Sequence, residues 1–155
     1  MEIARGFSDK PIKVLGSGHA SGPAQLSQME DLTTFSASVK AAQEAYGMAG
    51  LGASAIDFAE VHDCFTISEI IATEDLGFFE KGQGGQAVLD GLTKSTGEIP
   101  VNTSGGLIAK GHPVGATGLA QVYELVQQIR GTASNQVRKA DVGLAHNLGG
   151  SGAVA

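Results

Sequence analysis

The chain has 155 residues, 42% of them hydrophobic, with 10 Lys and Arg against 16 Asp and Glu, for a net charge of −6. That length suits one domain, residues 1–155, with a real core. The acidic balance argues against a nucleic-acid-binding face, while leaving room for an anionic ligand in a locally basic pocket. No apolar stretch nears the ~18 residues of a membrane span, no signal peptide is visible, and one cysteine excludes an internal disulfide and fits a reducing compartment. The expectation is a soluble, cytoplasmic protein.

The order of elements reads as α/β. Pro11 to Gly16 is expected as a short strand, followed by a Gly/Ser/His loop through Pro23. From Thr34 to Met48, Phe35, Val39, Ala42 and Tyr46 fall on one helical stripe, with Gly47 and Gly50 available to end it. Phe58–Val61 reads as a buried strand. It leads through His62-Asp63-Cys64-Phe65 into a helix in which Ile67, Ile70 and Ile71 share a face, and Thr66 and Glu69 have capping-box spacing. The glycine-rich stretch from Glu80 to Thr96 is expected at the surface, with a short helix near Gln86 to Leu92. Ile99 to Asn102 reads as a strand. After Gly115 comes the most regular helix, with Leu119, Val122, Leu125, Val126 and Ile129 as its apolar stripe and Gly131 at its end. Asp141 to His146 is a last buried strand, Asn147 to Gly152 a tight turn, and Ala153 begins a further strand.

Chemistry concentrates in three places, at strand ends or in the loops after them: His62-Asp63-Cys64, His112, and His146-Asn147. Open α/β sheets collect ligands at the carboxyl ends of their strands. The segment from Asn102 to Gly118 is the most informative. Its glycines permit unusual backbone or close approach to a ligand, and Pro113 restricts His112 to an extended conformation. A lone cysteine is usually a small hydrophobe. Cys64, however, lies just ahead of a helix start with an imidazole two residues away, a setting that favours a thiolate. A zinc site using Cys64 with His62, His112 or His146 is the competing reading, but the spacing matches no familiar zinc pattern. His19 reads as a surface-loop residue.

Together the segments His62-Asp-Cys-Phe65, Asn102 through Gly118 with its Gly-Gly-x4-Gly-His-Pro-x-Gly-Ala-x-Gly spacing, and His146 through Gly152 resemble the C-terminal domain of a thiolase. The His-Asp-Cys-Phe block is similar to the sterol-carrier-type and archaeal-type thiolases, the acetyl-CoA acetyltransferase-like branch, where other thiolases carry Asn-Glu-Ala-Phe. The resemblance implies a mixed sheet packed with helices, here lacking its first strand and most of its last. It also implies coenzyme A thioesters as substrates, with no bound cofactor or metal.

By the same resemblance, His112 activates a nucleophilic cysteine and helps form an oxyanion hole. His62 is that hole's second donor, and Cys64 is the acid/base at the substrate's α-carbon. His146 falls where other thiolases carry their acid/base cysteine. The backbone of Leu148 and Gly149 would supply N–H groups to a second oxyanion hole, in a loop oriented by Asn147. Thiolases carry their nucleophile in an N-terminal half, and Cys64 is the one cysteine in these residues. The expectation is therefore a thiolase portion, truncated at both ends and inactive alone. It would act with a nucleophile-bearing partner or a homo-oligomer, or else persist as a non-catalytic acyl-CoA-binding or association module.

Overall fold

The computed structural model describes residues 2–150 and 152–155. Its centre is a short parallel pair, β1 (Phe58–Glu60) and β2 (Gly143–Ala145), in the register Phe58 to Gly143, Ala59 to Leu144 and Glu60 to Ala145. Val101 adds a parallel bridge to Ala59 on the other side of β1. Between the two strands run α3 (Thr66–Asp75), α4 (Gly84–Leu89), α5 (Gly106–Lys110) and α6 (Thr117–Arg130). Before β1 come α1 (Glu2–Arg5) and α2 (Ser36–Ala49).

Alternation along β1 sorts the two faces, as successive strand residues must. Ala59 and Val61 join Ala42 of α2, Ala72 and Leu76 of α3 and Val101 in a buried cluster, with Leu144 and Tyr46 packed against it. The Tyr46 hydroxyl donates to the Leu76 carbonyl at 2.9 Å, and burial pushes its pKa up to about 12. Phe58 and Glu60 turn the other way, toward α6 and the loop before it. There the Phe58 ring lies over Gly143 and leaves no room for a Cβ at that position.

Several expectations are corrected. Pro11 to Gly16 pairs with no strand. Instead the following glycines press onto α2: a Cβ on Gly16 would sit 2.2 Å from the Ala45 carbonyl oxygen, and one on Gly18 would sit 1.9 Å from that of Ala41. A backbone lying flat on helix carbonyls has no free edge for a ladder, and pairing begins only at Ala20, which exchanges backbone hydrogen bonds with Ala155 beside the antiparallel Ser21–Val154 bridge. The capping box is absent: Phe65 is the N-cap of α3 without a side-chain cap, and Glu69 instead accepts a hydrogen bond from Asn102 Nδ2 at 2.7 Å. Ile67 is exposed while Ile71 is buried, so the three isoleucines do not share one buried face.

The largest correction concerns α6. Of its apolar stripe, Leu119 and Val122 are 75% and 48% exposed while Leu125, Val126 and Ile129 are half-buried, and the residues turned fully inward are Thr117, Gln121 and Gln128. Gln128 Nε2 donates to Thr103 Oγ1 at 3.0 Å and to the Asn135 carbonyl at 2.9 Å, and its Oε1 accepts from Val137 N at 2.9 Å. Gln121 Nε2 donates to the His146 carbonyl at 2.8 Å. The inner face of α6 holds neighbouring loops by satisfying their backbone polar groups, which must find partners once buried.

Candidate active site

His62 lies two residues beyond Glu60 and continues the side of β1 that faces α6. His112 follows α5 directly, and the two rings meet edge to face with centroids 4.8 Å apart and planes at 89°. Two imidazoles separated by fifty positions in the chain are thus one unit. His62 is 4% exposed, whereas His112 is exposed. Burial holds the His62 pKa below the ordinary histidine value, with the nearby His112 adding to the effect. The Asn147 side chain and the Asp63 charge pull it back. A neutral His62 can donate one hydrogen bond without bringing a second positive charge against His112.

The His112 ring has one side-chain hydrogen-bond partner among the described residues. Nδ1 is 2.7 Å from Thr117 Oγ1, and that hydroxyl's own proton goes to the Pro113 carbonyl at 3.3 Å. With that hydroxyl donating to Pro113, Oγ1 accepts from Nδ1, and the tautomer that results has Nε2 as its acceptor nitrogen, the arrangement a general base requires. Cys64 is exposed, and its thiol reaches only Ser68 Oγ, at 3.7 Å. The third cluster behaves differently. The His146 ring is buried against α2, with Nε2 2.9 Å from Ser38 Oγ, and burial together with the charge of His62 lowers its pKa to about 4. Asn147 and Gly149 are exposed and Leu148 is buried. The Gly149 N–H donates to the Val154 carbonyl at 2.8 Å.

The profile of the thiolase C-terminal domain-like family matches residues 18–155. The chain belongs to the thiolase family. It is 52% identical over 155 residues to an acetyl-CoA acetyltransferase of Methanothermobacter thermautotrophicus, a match covering 99% of the chain and 40% of that relative. It is 49% identical over 120 residues to sterol carrier protein 2 of Rattus norvegicus, covering 77% of the chain and 22% of the relative. Among solved structures, an Ltp2-ChsH2(DUF35) aldolase superposes with a TM-score of 0.77 at 28% identity, over 87% of this chain and 36% of that one. The chain thus spans well under half the length of these relatives.

Within this thiolase domain, Glu60 and Asp63, which sequence reasoning left without a role, and Glu69, which it placed in a capping box, fasten the Asn102–Lys110 segment to the β1 end. Glu60, 1% exposed, accepts from Ser104 N at 3.1 Å and from the Ser104 hydroxyl, with Lys110 Nζ 3.8 Å away. Burial pushes the Glu60 pKa up, against those partners. Glu69 takes the Asn102 amide, whose Oδ1 accepts from Val61 N at 2.8 Å. Asn102 is the one described non-glycine residue with positive φ, at 51°, a conformation asparagine tolerates better than most residues. Asp63 accepts from Leu107 N at 2.6 Å and Ile108 N at 3.3 Å. The available sequence signal was the bracketing of Asp63 by His62 and Cys64, but its partners lie 44 positions away. Among the described residues no group of three His, Cys, Asp or Glu side chains could hold a metal ion. A cleft of about 140 Å³ between α5 and α6 is lined by Glu60, Lys110, Pro113, Thr117 and Gln121.

Proposed function

We propose that this thiolase domain supplies the acid/base and oxyanion side of an acyl-CoA site for Claisen condensation or thiolysis. The observation that carries the reading is the edge-to-face meeting of His62 and His112, with an exposed thiol two residues from His62. The His112 Nε2 lone pair takes the proton of a nucleophilic cysteine. His62 and the newly protonated His112 then donate to the thioester oxygen as negative charge develops there. Cys64 removes or returns the proton at the substrate's α-carbon. His146 acts through the loop it anchors, and Asn147, Leu148 and Gly149 shape that loop near a second oxyanion. The aldolase activity in the structural relative's name also involves cleaving a bond next to a carbonyl-stabilised carbanion, so the same donors fit it.

The nucleophile would come from outside these 155 residues, which hold one cysteine, and the relatives extend well beyond the matched region. The exposed α6 stripe is the surface available for such a half, or for a second copy. The single cysteine also favours a second reading, a non-catalytic acyl-CoA-binding or association module that keeps the thiolase motifs.

The test combines the chain with a thiolase N-terminal half bearing the nucleophilic cysteine and follows acetoacetyl-CoA cleavage by free CoA. The chain alone should be inactive and the mixture active, with Cys64→Ala and His112→Ala each lowering turnover by about 100-fold or more. Turnover indifferent to Cys64→Ala would sink the acid/base assignment. CoA-thioester binding without turnover in any mixture would select the second reading.

A further inference from the structure

We infer that Asp63 is a positioning residue that holds His112 against His62. The inference builds on the reading of His112 as the reacting imidazole, but its geometry stands apart from any turnover. Asp63 is 3% exposed, and its two carboxylate oxygens accept the N–H groups of Leu107 and Ile108 in the first turn of α5, at 2.6 and 3.3 Å. Charged acceptors on helix-start amides make strong, directional bonds. The fit is exclusive. Gly106 has φ of 61°, and a Cβ there would lie 2.1 Å from Asp63 Oδ2, so the carboxylate occupies the space any other residue would need.

From Leu107 the chain has little freedom before the imidazole. The helix closes at once, with Gly111 N donating to the Leu107 carbonyl at 2.8 Å, and His112 is the next residue. On the other side Asp63 is bonded directly to His62. One carboxylate therefore sets the backbone of both imidazoles. Glu60 and Glu69 fix the same segment further upstream, at Ser104 and Asn102. Glu60 also reaches Lys110, but only through its side-chain ammonium at 3.8 Å; of the three carboxylates, Asp63 holds the backbone amides nearest in sequence to His112.

The experiment is NMR on the isotopically labelled chain, with Asp63→Asn, Gly106→Ala and, as comparison, Asp57→Asn. Asp57 is another carboxylate that clamps a loop, accepting from Asp141 N and Val142 N at 2.9 Å, but at the opposite end of β1. In the unsubstituted chain a scalar coupling across the hydrogen bond should join the Leu107 amide nitrogen to the Asp63 carboxyl carbon. A cross-relaxation peak should join the two imidazoles. Asp63→Asn and Gly106→Ala should abolish the imidazole peak and speed Leu107 amide exchange about tenfold or more, with α2 and α6 amides unmoved. Asp57→Asn should leave the imidazole peak intact.

In the mixture with an N-terminal half, Asp63→Asn should lower kcat about 100-fold with KM unchanged, the mark of a misplaced group rather than lost binding. An imidazole peak that survives in either folded variant overturns the inference. So does absence of the Leu107–Asp63 coupling in the unsubstituted chain, which needs no variant to fold. A mixture that never turns over would count against the proposed function and leave these spectra to decide the role of Asp63.

Discussion

At the scale of single residues, His146 and His112 show how environment separates identical side chains. His112 faces solvent with one nitrogen bonded to Thr117, whereas His146 is enclosed and bonded to Ser38 in α2. The folded His146 pKa of about 4 lies below the unfolded value near 6.5. Between those values the unfolded chain binds a proton that the folded chain refuses. This contribution to stability is complete above pH 6.5 and is lost as pH falls toward 4, a loss of about 3 kcal/mol at 1.36 kcal/mol per unit. Glu60, Glu69 and Asp75 carry the opposite slope, because burial raises their pKa values. The test is therefore a difference: urea unfolding of the chain and of His146→Asn at pH 7.5, 5.5 and 4.5. The gap in stability between them should narrow or reverse as the pH drops, and a gap independent of pH would refute the assignment. The proposed trio His62, Cys64 and His112 could be singled out from sequence because glycine, proline and helix-start signals surround it, and the structure brings the His62 and His112 rings together. Asp63 was not, since nothing local marks a side chain whose partners are backbone amides 44 residues on.

At the scale of elements, helix existence was legible and orientation was not. The periodicity after Gly115 locates α6 and its end at Gly131, which is left-handed with φ of 74°. Periodicity reports two unlike faces but does not say which is inward. The buried side is held by glutamine amides that satisfy loop backbone, a role polar residues reveal only in three dimensions, with Leu125 of the apolar stripe beside them at Gly143 of β2. Gln128→Ala leaves Val137 N and the Asn135 carbonyl without their buried partners. The expected cost is about 3 kcal/mol, from two or three lost bonds at ~1 kcal/mol each plus stranded polar groups. Leu119→Ala, at an exposed site, should stay within about 0.5 kcal/mol. Comparing the two by denaturant titration tests directly which residues α6 turns inward, and equal costs would refute this orientation. Strands were the weaker readings for a related reason. The run at Ile99 does reach β1, through the Val101–Ala59 bridge, whereas the run at Pro11 has strand composition but no ladder, because a ladder depends on what lies alongside. Gly16 and Gly18 spend that edge on α2.

At the scale of the whole molecule, the first half of the α6 stripe leaves apolar area in the open. Leu119, Val122 and Tyr123 on α6 are 75%, 48% and 62% exposed, and Val114, in the loop before it, is 80% exposed. On the neighbouring loop and α3, Phe65 and Ile67 are also exposed, and both flank the segment that carries His62 and Cys64. Scattered apolar residues are ordinary on protein surfaces, but several on one helix stripe beside the loop that carries His112 are the surface we propose another chain covers. Association driven by that stripe follows mass action, so light scattering should give an average mass that rises with chain concentration. Replacing Leu119, Val122 and Tyr123 together by Ser should return it toward the monomer with little change in stability, since the side chains removed are already exposed. Adding the nucleophile-bearing half should compete with self-association if both use this stripe, and the triple variant should then lose both partners. A mass fixed at the monomer across concentrations would show that the exposed stripe is not sticky by itself. Self-association that survives the triple substitution would move the interface elsewhere and separate it from the face that carries His62, Cys64 and His112.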